Sequence, residues 1–196
     1  MKTRHKTWLW MAMIVIVGAL LIRFILVGPK VVPAEFTAAR QTGTRLTEEI
    51  IFLASASRSG LEDIARYDAE ANTSEALIAT SRELIRNKDV RERAVSLSVE
   101  LGRMAQALPN IQPGSARQIA SEAIGYEVAL VSRLISYNDI LNRLFELLRA
   151  KFTGQVTETD GKVRAMINDI NAGANAANDL NAAFVDAMKR FDDVYQ

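Results

Sequence analysis

The sequence predicts an all-α protein: a single N-terminal transmembrane helix, then an antiparallel four-helix bundle of coiled-coil character. Three observations carry that expectation. One apolar run, Trp8 to Val27, is interrupted only by Arg23. Proline is absent from Ala34 to Leu108 and again from Gly114 to the end. Within those blocks apolar residues recur at three- and four-residue steps, the period of a helix face packed on another helix.

Residues 1–7 form a basic leader in which Lys2, Arg4 and Lys6 favour a cytoplasmic N-terminus. At ~1.5 Å per residue, residues 8–27 reach across a hydrocarbon core of roughly 30 Å. Trp8 and Trp10 fall at the inner boundary, and Arg23 lies within snorkelling reach of the far headgroups. Lys30, Arg40 and Arg45 on the far flank make the charge bias less one-sided. The alternative is a cleaved signal peptide. Val32-Pro33-Ala34 offers small residues for cleavage, although the apolar run exceeds the usual signal core of about 7–15 residues. Gly28, Pro29 and Pro33 then make 28–33 an extended linker, since proline removes a backbone donor and restrains its neighbour.

The bundle domain is expected over 34–196. Its first helix, about Ala34 to Tyr67, carries Phe36, Ala39, Gly43, Leu46, Ile50, Leu53, Ser57, Gly60, Ile64 and Tyr67 on one stripe. Asn72-Thr73-Ser74-Glu75 reads as an N-cap followed by Glu at the third position. The second helix carries Leu77, Leu84, Ile85, Val95, Leu101, Met104 and Leu108. Its stripe loses phase at Asn87-Lys88-Asp89, where a kink or short break is expected, with Asp89 and Glu92 capping the restart. Pro109-Asn110-Ile111-Gln112-Pro113 separates the two hairpins. The third helix, near Ser115 to Phe152, has Leu130, Leu134, Tyr137, Leu141, Leu144 and Leu148 on its seam. A second stripe through Ile124, Val131, Ile135 and Phe145 makes it the most buried of the four. The fourth shows the cleanest register, from Val163, Ile167 and Ile170 to Phe184, Met188, Phe191 and Tyr195.

Composition excludes several chemistries. Five of the 24 basic residues lie before residue 31, which leaves 19 facing 23 acidic ones in the bundle. A mildly acidic domain does not suit nucleic acid, whose phosphates demand a basic face. There is no cysteine, and the single histidine, His5, sits in the leader. Thiolate chemistry, His-based metal sites and His-dependent dyads are thereby removed from the bundle. The stretch from Gly154 to Gly161-Lys162 fails as a phosphate loop, because Val163 stands where Ser or Thr should meet magnesium. No cofactor, metal or catalytic constellation is expected, and the protein is not read as an enzyme.

Two polar features remain. Asn168, Asn171, Asn175 and Asn178 form a stripe beside the fourth-helix seam, among small residues such as Gly173, Ala174 and Ala177. It reads either as a smooth surface for a partner or as a helix face kept soluble without charge. Glu127 falls on the third-helix seam. Burial there would raise its pKa unless it is paired, either in a structural ion pair with an arginine or by a ligand.

The middle of the chain, roughly residues 67–155, resembles the LemA family. Tyr67 with Arg82, then Ala105-Gln106-Ala107-Leu108-Pro109-Asn110-Ile111, Glu127, Tyr137-Asn138 and Lys151-Phe152-Thr153-Gly154-Gln155, follow that family's order and spacing. The chain departs from it at Ser59-Gly60-Leu61-Glu62-Asp63, at Leu144-Phe145, at Thr153 and in its additional fourth helix. The resemblance implies a bacterial membrane-anchored bundle without established enzymatic activity, with Glu127, Tyr137 and Asn138 as packing and hydrogen-bonding positions.

The expected function is a scaffold or adaptor of the bacterial envelope. It would be single-pass in the inner membrane, with a periplasmic bundle whose expected partners are other envelope proteins, bound through helix faces, and further copies of itself in a homo-oligomer. The alternatives are a sensory or ligand-binding bundle acting through a partner, and a spanin-like coiled coil bridging two membranes.

Overall fold

A computed structural model of the chain describes residues 30–157 and 159–196. The expected leader 1–7 and transmembrane helix 8–27 lie outside the described residues, as do the first two residues of the 28–33 linker. Among the described residues, no helix is long and apolar enough to cross a membrane.

Helix α1 (Ala34–Ala69) buries Phe36, Ala39, Gly43, Leu46, Ile50, Ser57 and Ile64, the stripe read from its spacing. Helix α2 (Thr73–Ala107) starts where the Asn72 side chain accepts the Glu75 amide at 3.4 Å. A 3₁₀ turn over Leu108–Asn110 and the buried Ile111 reverse the chain into α3 (Gly114–Phe152). That helix ends with Gly154 at φ 72° and the Gln155 amide bonded back to the Ala150 carbonyl, a left-handed stop that glycine adopts without steric cost. Helix α4 (Asp160–Asp193) returns along the bundle.

The start of α1 meets the end of α4, where the Phe36 and Phe191 rings lie 5.4 Å apart. Lys151 near the end of α3 pairs with Asp68 near the end of α1 at 2.6 Å. The direction therefore alternates along the chain. Backbones approach closely between α1 and α2, α2 and α3, and α3 and α4, with no comparable approach between α1 and α4. The bundle thus has three closed seams and one open one. Two apolar clusters fill it. One gathers Phe36, Leu46, Leu97, Met104 and Phe191; the other gathers Ile64, Leu141, Leu144, Phe145 and Ile170.

At the α2–α3 seam sits a buried polar clasp. Asn87 Nδ2 donates to the Asn138 carbonyl at 2.9 Å, and Asn138 Nδ2 donates to the Asn87 carbonyl at 2.7 Å. Asn138 Nδ2 also lies 2.6 Å from Asn87 Oδ1. The break expected at Asn87-Lys88-Asp89 does not occur, and α2 is helical throughout. Its stripe does not lose phase. It runs through Thr80, Glu83, Asn87, Val90 and Ala94, with polar side chains holding core positions that apolar patterning cannot register. Correspondingly, Ile85 and Val95, read as core, are exposed.

Residues at the start of the chain's described part are tied to this end of the bundle. Val31 and Gln112 exchange two main-chain hydrogen bonds of 3.0 Å, and the Tyr195 hydroxyl donates to the Gln112 carbonyl at 2.8 Å. The segment entering the bundle is therefore clamped to the α2–α3 turn and to Tyr195, just past the end of α4.

Gly60 of α1 faces the buried Glu83 of α2, whose Oε1 accepts from Arg86 while Arg86 also donates to the Ala56 carbonyl at 2.9 Å. A Cβ on Gly60 would fall 2.0 Å from that Oε1, whereas one on Gly102 would meet nothing within 4 Å. Alanine at either position gains helix propensity of ~1 kcal/mol. Gly60→Ala is nevertheless expected to destabilise by ~1–3 kcal/mol through overpacking. Gly102→Ala should stabilise by ~0.5–1 kcal/mol. Thermal melts of the two variants followed by circular dichroism should move in opposite directions.

Candidate functional site

The open α1–α4 seam is a trough with walls from α1 and α4 and a floor from α2 and α3. It holds three adjoining cavities, of about 910, 280 and 550 Å³. Ala54, Ser55, Tyr137 and Ala174 line both the first and second. Thr47, Leu97, Glu127 and Asn181 line both the second and third. On α1 the lining extends from Arg40 to Asp68, which at ~1.5 Å per residue is a length of roughly 40 Å. Arg40 and Asp192 close one end with a bidentate pair at 2.6 and 2.7 Å, beside the Phe36–Phe191 contact.

Small and aliphatic side chains make most of the surface. In the middle cavity, Ala54 and Ser55 of α1 oppose Ala174 and Ala177 of α4, over Leu97, Leu130 and Leu134. The regular register read for α4 exists, but half of it is uncovered. Ile170, Met188 and Phe191 are buried, Ala174, Ala177 and Phe184 only partly so, and Ile167 and Asn181 are exposed. Nothing in the apolar pattern distinguishes a seam that meets a helix from one that meets an empty trough.

Glu127 lies at the floor of this trough. It is 2% exposed, and its Oε2 has no hydrogen-bond partner. The arginine partner that its seam position allowed is not there: among the described residues no cation lies within ion-pair distance of it. Arg40, which lines the end cavity with Glu127, is engaged by Asp192. Lys189 lines the adjoining end cavity and forms no ion pair. With nothing to stabilise the anion, burial pushes the Glu127 carboxyl up to about 7.

The other predicted positions separate. Tyr137 is half-buried, lines the first and the middle cavity of the trough and packs its ring on the backbone at Gly173. Its burial raises the phenol pKa. Asn138, one residue on, faces α2 and belongs to the clasp with Asn87. Asn171 and Asn178 line the trough, whereas Asn168 and Asn175 are exposed and line none of its cavities. Only Asn171 and Asn178 therefore form the trough's edge, and the asparagine stripe is not one surface. Sequence reading missed Asn87 and Glu83, although their three- and four-residue steps from Val90 and Ala94 place them in the core.

Among the described residues, no three His, Cys, Asp or Glu side chains gather as a metal site. The trough offers mostly methyl groups and amides, with charged side chains such as Glu48, Glu62 and Asp193 exposed along it and Glu127 as its buried carboxyl, an arrangement suited to holding an elongated apolar partner at one buried polar point. Comparison with family models, curated proteins and solved structures finds no match to this chain.

Glu127 makes stability depend on pH in a defined sense. Its folded pKa of about 7 stands above the ordinary 4.5, so the folded state holds the proton more tightly. The contribution is complete below pH 4.5 and is lost as pH rises through 7, a change of ~3 kcal/mol. Denaturant unfolding of the native chain and of Glu127→Gln between pH 5 and 8 should show this slope in the former only. Glutamine should be the more stable form at pH 8.

Proposed function

We propose that the protein is a non-catalytic adaptor of the bacterial envelope, LemA-like in build and anchored in the inner membrane by residues 8–27. Its bundle lies in the periplasm and takes a helical segment of another envelope protein into the α1–α4 trough. The observation that carries this reading is the open seam itself. A trough roughly 40 Å long, lined by apolar and small side chains, has the dimensions of a missing helix. Small residues on both walls, Ala54 and Ser55 against Ala174 and Ala177, allow an incoming helix to approach to the usual interaxial distance of ~8–10 Å.

Two features support the anchored placement. The basic leader precedes an apolar run of spanning length, and the chain at Val31 is pinned to the bundle end formed by Gln112 and Tyr195. That end would then sit close to the bilayer, with the trough running away from it. A second reading, a ligand-binding bundle, is favoured by the cavity of about 910 Å³ between Leu61, Leu144 and Ile167, within the size range of small-molecule sites.

Photo-cross-linking separates the two. With p-benzoylphenylalanine at Ser55 or at Ala174 of the full-length chain in its native membranes, both walls should capture the same helical segment of one envelope protein. The same probe at Val99, exposed on the outer face of α2, should capture no such segment. Capture from Val99 alone, or no protein captured from either wall, would overturn the adaptor reading. Protease should reach the bundle only after the outer membrane is opened; digestion from the cytoplasmic side would reject the topology.

A further inference from the structure

Three buried glutamates occur among the described residues: Glu83, Glu100 and Glu127. Two of them are neutralised in the same way. Glu83 pairs with Arg86, and Glu100 pairs with Arg103 at 2.8 Å, each arginine three residues further along the helix. One turn on from Glu127 stand Leu130 and Val131, both buried. Among the described residues a local cation accompanies each buried glutamate except Glu127, the buried one that lines the trough.

Glu127 borders two cavities: the end cavity, where Arg40 is engaged by Asp192 and Lys189 also lines the wall, and the middle one. Among the described residues no lysine or arginine lines the middle cavity, and its rim carries Thr47, Ser55, Asn178 and Asn181. These hydroxyls and amides hydrogen-bond an incoming polar group without repelling a cation. The aliphatic floor beside them excludes water, so a charge brought to Glu127 is felt strongly. An anionic or wholly apolar occupant would instead leave the Glu127 Oε2 buried and unpaired.

We infer that the segment seated in the trough is an amphipathic helix whose apolar face carries one lysine or arginine, placed over Glu127. The inference rests on the trough being a helix-docking surface and adds the chemistry of what docks. Flanking apolar residues at three- and four-residue steps fill the space between α1 and α4, and the single cation fixes the register. A slip of one turn would move the cation onto aliphatic floor, so the pair selects one alignment as well as one class of partner.

The test uses the full-length chain with p-benzoylphenylalanine at Ala174, followed by mass-spectrometric identification of the captured segment and synthesis of that segment as a peptide. The segment should contain a lysine or arginine within an apolar helical stripe. Glu127→Gln should weaken peptide binding about tenfold, the loss of one charge-assisted hydrogen bond. Replacing the peptide's cation by norleucine should weaken it comparably, and the two changes together should cost little more than either alone. A captured segment without a cation in register with Glu127, or a Glu127→Gln protein that binds as tightly as the native one, overturns the inference while helix docking stands. Capture of a second copy of this chain overturns it as well. Absence of any captured protein removes the docking reading itself. Cooperative melting of Glu127→Gln is checked in parallel, so that a folding defect is not taken for lost binding.

Discussion

The structure depends on how α2 and α3 are joined. These central helices each contact two neighbours, whereas α1 rests on α2 and α4 rests on α3. The reciprocal hydrogen bonds of Asn87 and Asn138 lie midway along the central seam, between the two apolar clusters. Leucines can slide past one another by a turn at modest cost. Two side-chain amides bonded to each other's backbone cannot, because any slip leaves buried polar groups unsatisfied. The clasp thereby fixes the register of the pair on which both outer helices lean.

With the central pair fixed, the outer helices could close the fourth seam only by burying α4's middle turns against α1. Those turns contain Gly173, Ala174, Ala176 and Ala177, with Asn171, Asn175 and Asn178 between them. Methyl groups remove little apolar area from water, and burying amides without partners costs more than such contacts return. Closure is consequently favoured only at the Phe36–Phe191 end, where large rings meet and Arg40 reaches Asp192. The seam stays open along its middle for the same reason that the middle of α4 is small and polar. Glu127 fits this arrangement, since a carboxyl beneath a closed apolar seam would have required a built-in partner like those of Glu83 and Glu100.

Much of the architecture was legible in the residues. Steps of three and four in α1 gave its buried face, Asn72 and Glu75 marked the start of α2, and the Pro109–Pro113 stretch marked the central reversal. Reading failed where the core is polar. Asn87 reads as a break because a side chain that hydrogen-bonds across a seam and one that ends a helix look alike in a hydropathy pattern. Occupancy of a seam is equally invisible: the stripe on α4 is regular whether a helix of this chain or of another covers it. Glu127 could be placed on a seam from spacing alone. Its lack of a partner became visible only once the arginines of neighbouring helices were located.

The absence of native cysteine allows the openness of the fourth seam to be measured directly. A Cβ at position 173 lies 3.9 Å from the Tyr137 Cβ across the closed α3–α4 seam, which is ordinary disulfide spacing. Positions 55 and 178 instead face each other across the trough. Under mild oxidation of the full-length chain, Tyr137→Cys with Gly173→Cys should form an intramolecular disulfide, while Ser55→Cys with Asn178→Cys should remain reduced. If the second pair oxidises as rapidly as the first, α1 and α4 are in contact and there is no trough for a partner to fill.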